Sequence, residues 1–134
     1  MRRLKPQTRR EIAKLEDQLV EQAQKIAQNL WDELDVGQRR DGKVRQLRNI
    51  LEVAESTDSW KALELFIRYQ AARKEIPGAW AEFVIQKLSA LQTYAQEITR
   101  TTGDSEKMIY LELITRVLGH AVRWHLWDVK KGEG

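Results

Sequence analysis

Four side chains near the end of the chain raise the question of chemistry first. Glu112, Arg116, His120 and Arg123 fall at spacings of four, four and three, which strings them along one face of a 3.6-residue helix. Guanidinium groups set this way can meet phosphate oxygens two at a time. The second histidine, His125, stands five residues from His120 and therefore on another face. Helical zinc pairs use spacings of three or four, so no metal site is expected. The chain has no cysteine, which removes thiol catalysis, thiolate metal sites and disulfides and suits a reducing cytoplasm. Its glycines are scattered rather than gathered into a phosphate loop, and Ser56, Ser59, Ser89 and Ser105 fall at helix caps or on a helix rather than in a nucleophile elbow. The carboxylates read as i,i+4 partners on solvated faces. Neither catalysis nor a cofactor is expected.

Basic residues offer more. The net charge is only +3, from 23 basic and 20 acidic residues, but it is segregated. Arg2, Arg3, Lys5, Arg9 and Arg10 precede the first acid, Glu11, and Arg39, Arg40, Lys43, Arg45 and Arg48 are diluted only by Asp41. Arg45 and Arg48 share the outer face of a second helix, Arg68 lies on a third, and Arg73 and Lys74 end it, where cations complement the helix dipole. If the second, third and last helices pack side by side, these groups and Arg116 and Arg123 line one shallow positive surface. Lacking a helix-turn-helix or RNP sequence, such a surface would follow a nucleic-acid backbone and ignore its sequence. The alternative is that Arg116 pairs with Glu112 and the other cations face water. Five tryptophans, Trp31, Trp60, Trp80, Trp124 and Trp127, leave a similar choice between closing the core and stacking on bases. Trp124 and Trp127, which flank Arg123 and the basic tail, are the ones that keep it open.

The elements that position these residues are all helical. Seven glycines, two prolines and no alternating apolar pattern argue against strands, and 134 residues suit one compact domain of about five helices. Thr8 to Glu11 reads as a capping box. The stripe Ile12, Leu15, Leu19, Ala23, Ile26, Leu30 and Leu34 takes six steps over 22 residues, a mean of about 3.67 that predicts one straight helix, closed by Gly37. A basic loop over Gln38 to Gly42 leads to a second helix from Lys43 to Ala54. Thr57 or Asp58 caps a third, which ends before Pro77. A fourth runs to Ile98, and Asp104 or Ser105 caps the last, with a frayed tail from Lys130. Met108 to Trp127 is apolar around most of its circumference, as for a helix at the centre of a bundle; Glu112, Arg116 and Arg123 interrupt it too often for a membrane span. Gly119 within it predicts a close helix approach.

Three segments carry a resemblance. Lys43-Val-Arg-Gln-Leu-Arg-Asn49, Leu63-Glu-Leu-Phe-Ile-Arg-Tyr-Gln-Ala-Ala-Arg-Lys74 and Tyr110-Leu-Glu-Leu-Ile-Thr-Arg-Val-Leu-Gly-His-Ala-Val-Arg-Trp-His125 resemble, in order and approximate spacing, the small subunit of type III-A CRISPR effector (Csm) complexes. Ala72 stands where that family usually has glycine. The resemblance implies a non-catalytic cytoplasmic helical protein of antiviral defence, self-associating in several stacked copies beside the other effector subunits. It would hold target RNA paired to guide RNA, or single-stranded DNA, through phosphates. By matching position it implicates Arg45, Arg48 and Arg73. A helical adaptor that docks a protein partner without nucleic acid is the alternative.

Overall fold

The computed structural model describes residues 2–133, and these contain no strand. Seven α-helices follow one another: α1 (Pro6–Ala13), α2 (Glu16–Glu33), α3 (Val44–Ser56), α4 (Trp60–Ala72), α5 (Gly78–Ala90), α6 (Gln92–Thr102) and α7 (Glu106–Glu133). The all-α expectation holds; the count of about five is low because two of the expected rods are broken. In the first, the Leu15 amide reaches the Ile12 carbonyl at 2.9 Å, a tight three-residue bond that ends one helix before the next begins. The break lets α1 lean on α6 while α2 packs against α5 and α7. A regular apolar period cannot reveal this, because both halves bury the same stripe against different neighbours. Leu91 divides the fourth rod likewise, serving as the C-cap of α5 and the N-cap of α6.

α7 forms the centre. Ile109, Leu113, Ile114, Val117, Leu118 and Ala121 are buried along it, under α2, α3 and α6. Burying each of the larger side chains is worth about 1.5–3 kcal/mol. Trp80 is wholly buried and its indole N–H donates to the Ile26 carbonyl at 2.9 Å, joining α5 to α2. Trp60 meets the Tyr110 ring edge-on at 5.7 Å. Core packing therefore accounts for these two tryptophans.

Several helix ends differ from expectation. Pro6 opens α1 at its first position, where a missing N–H costs nothing, so Thr8 is not a cap. Its buried hydroxyl instead donates to Asp104 at 3.0 Å, and Asp104 also accepts the Lys5 amide at 2.8 Å. That backbone bond is the main reason the Asp104 carboxyl is held below its usual pKa. Ser59, rather than Thr57 or Asp58, caps α4 through the Ala62 amide, and Ser105 caps α7 through that of Met108. α2 ends at Glu33, ahead of Gly37. The tail is helical through Glu133; Gly134 lies outside the described residues.

Gly119 admits no close helix. A Cβ built there meets only an Arg123 guanidinium nitrogen, at 3.9 Å. Gly119→Ala is thus expected to stabilise the protein by roughly 0.5–1 kcal/mol, raising the melting temperature by about 2–4 °C. Thermal denaturation followed by circular dichroism checks it; a lower melting point would mean the site is tighter than it looks.

Candidate nucleic-acid interface

The chain enters α3 through two consecutive left-handed residues, Gly42 at φ 67° and Lys43 at φ 58°. The last turns of α7 impose this. His125 donates its Nε2 proton to the Gly42 carbonyl, and a Cβ on Gly42 would stand 2.3 Å from the Val129 side chain. Loop and first turn of α3 are therefore seated on α7. α4 finishes at the same end. Lys74, left-handed at φ 61°, sits just past the helix, with the Glu75 amide on the Gln70 carbonyl and its own amide on that of Ala71, both at 2.9 Å. This is a Schellman closure. Gln46 of α3 then donates to the Glu75 carboxylate at 3.4 Å, and Gln38 and Lys74 line one shallow depression of about 310 Å³.

Three segments thus bring Arg40, Lys43, Arg45, Arg73 and Lys74 to one end of the bundle, with Arg48 a turn further along the outer face of α3. Arg40, Arg45 and Arg48 are exposed, and no hydrogen bond or ion pair holds them among the described residues. Arg73 lies over the Tyr69 ring at 5.5 Å. Arg39 is spent within the fold, donating to the Trp31 carbonyl at 3.2 Å while lying over that ring at 4.9 Å. Nearby acids offset part of the positive charge. Asp35 and Asp41 accept the amides of Gln38 and Lys43, at 2.8 and 3.0 Å.

The remaining expected cations lie elsewhere, and the single trough drawn from three helices does not form. α3 packs against both α4 and α7, yet Arg68 is tied to Glu82 and, at 3.1 Å, to Glu64. These two bonds, Glu82 first, raise its pKa above the ordinary. Arg116 bridges Glu112 at 3.1 Å and Glu16 of α2 at 3.2 Å, so its alternative, pairing with Glu112, is what occurs. His120 donates from Nε2 to Glu16 and accepts an Arg123 N–H on Nδ1 at 3.2 Å. The polar stripe of α7 therefore faces α2, away from the Gly42 loop that His125 holds. With both ring nitrogens engaged, His120 presents no vacant base to a substrate. Among the described residues no cluster of His, Asp and Glu is arranged to hold a metal, and no helix is long and apolar enough to cross a membrane.

No family model, curated protein or solved structure matches the chain.

Two roles escaped the sequence. Arg2, from the basic N-terminal run, is an internal clamp: it donates to Thr115 and to the Thr57 carbonyl, each at 3.1 Å, and to the Ala54 carbonyl, while Leu4 beside it is buried. Charge counting cannot separate such an arginine from a solvated one. His125 is the other. Its five-residue offset from His120 signalled only a different face, not that the face would be fully buried.

Proposed function

We propose that this chain is a non-catalytic small subunit of a type III-A CRISPR effector, stacking in several copies and gripping RNA by its backbone without regard to sequence. The observation that carries this is the convergence of Arg45, Arg73 and Lys74 with Arg40 and Lys43 at one end of the bundle, Arg45 and Arg40 being exposed and, among the described residues, unpaired. Two of the three segments that resemble the Csm small subunit supply the helix ends meeting there. Arg48 extends the patch; Arg68 and Arg116, neutralised by carboxylates, are outside it. Guanidinium and ammonium groups gathered at one end of the bundle suit a chain of phosphates, which is held by charge and carries no sequence information.

Binding of unrelated single-stranded RNAs, measured between about 50 and 200 mM salt, tests the proposal. About three to five phosphate contacts predict a log–log slope near −2 to −4 at about −0.7 per contact, the same for every sequence. A slope near zero, or strong preference for one RNA, would overturn it. One observation favours the adaptor as a second possibility. Leu65 and Tyr69, four residues apart on α4, are 68% and 54% exposed, the makings of a protein contact. Stable capture of effector subunits by a chain with no RNA affinity would select that role.

A further inference from the structure

We propose that the notch between α2 and the end of α7 is a stacking subsite for one unpaired base of a bound RNA strand. The inference rests on the RNA-binding proposal and adds a contact of a different kind, to a base face rather than to phosphate.

Trp127 is 59% exposed, unusual for the largest apolar side chain. It stands with Trp124 and Val20 around a depression of about 280 Å³ whose remaining wall is His120 and Arg123. That volume lies just under the range of drug-sized sites, roughly 300–1,000 Å³, and suits a single flat ring system. Two of the walls are held in place. The Trp124 indole donates to the Val20 carbonyl at 3.2 Å, and His120 is fixed by Glu16 on one side and Arg123 on the other. Arg123 spends one N–H on His120, leaving most of its five donors for an incoming anion.

The charge of the rim decides the occupant. Among the described residues no carboxylate lines the notch, and the one formal cation there is Arg123. An aliphatic side chain would gain from the indoles but nothing from the guanidinium. A nucleotide gains from both, its base on an indole face and its phosphate on Arg123. Trp127 lies across α7 from His125 and Val129, which seat the Gly42 loop of the basic end, so a strand leaving Arg40, Lys43 and Arg45 reaches the notch by crossing the last turns of that helix.

Two oligonucleotides of equal length and equal phosphate count separate the contributions: a uridine homopolymer and its abasic counterpart. The protein is expected to bind the base-bearing strand roughly 5- to 100-fold more tightly. Trp127→Ala should bring that ratio close to one without changing the salt slope, and Trp127→Phe should keep most of it. Charge reversal at Arg45 and Arg48 should weaken both strands alike. Equal affinity of the unaltered protein for the two strands, or a ratio that survives Trp127→Ala, would overturn the subsite alone. Failure to bind either strand would overturn the RNA-binding proposal together with it. If Trp127→Ala instead abolishes self-association and leaves the base preference intact, the notch is a protein contact and the subsite is refuted.

Discussion

Combining Arg45→Glu, Arg48→Glu and Arg73→Glu is expected to lower RNA affinity by on the order of 10²–10³-fold near physiological salt and to shorten the salt slope by about two units. Each change deletes a counterion-releasing contact and puts a repelling carboxylate beside the phosphate path. Among the described residues, Arg45 and Arg48 are exposed and unpaired, and Arg73 lies over the exposed Tyr69 ring. Helicity and melting temperature should therefore change little, which separates lost binding from lost fold. Arg68→Gln and Arg116→Gln serve as controls. Their guanidinium groups are occupied by Glu64 and Glu82, and by Glu16 and Glu112, so RNA affinity should stay within about twofold of the parent. Equal loss in the controls and the triple variant would dissolve the assignment of the basic end in favour of a diffuse electrostatic attraction.

Acid should loosen this protein through His125. The ring is fully buried, its Nε2 proton is given to the Gly42 carbonyl, and Nδ1 has no partner among the described residues. Burial is the largest influence on its pKa and pushes it below 6.5, against smaller upward pulls from the Gly42 bond and the Asp128 charge. The unfolded chain carries a histidine of ordinary pKa, about 6.5. Stability from the neutral ring is thus complete above that value and falls as pH drops below it, by about 1.4 kcal/mol per pH unit until the folded pKa is reached. Urea denaturation between pH 5 and 8 should show this decline in the parent and not in His125→Gln, which carries a fixed cost instead. Identical pH dependence in both proteins would mean the imidazole is reached by water. Gly42→Ala strikes the same joint at any pH. It adds a methyl group 2.3 Å from Val129 at a left-handed residue, an expected loss of about 2–4 kcal/mol. Because the joint seats the Gly42 loop, RNA affinity should weaken along with stability.

Much of the core was legible before any coordinates. The apolar stripe from Ile12 to Leu34 is buried save for a half-buried Leu15, and the helix apolar on most sides is the central α7. Breaks at Leu15 and Leu91 were not legible, since an unbroken period says nothing about which partner each half meets. Among the cations, local spacing identified the Arg116–Glu112 pair as an alternative. It could not foresee Glu16, 100 residues away in the chain, or Glu82 on Arg68.

Amphipathic periodicity, which is local, was enough for the sequence alone to determine an all-helical chain with α7 at its heart. Which arginines stay available for a partner was decided by tertiary structure. Guanidinium groups are occupied, and left-handed turns are held, by groups remote in sequence: Glu16 for Arg116, the Ala54 and Thr57 carbonyls for Arg2, His125 and Val129 for Gly42. A free guanidinium and a spent one have the same letter. Only the distance to a carboxylate or carbonyl from another helix tells them apart.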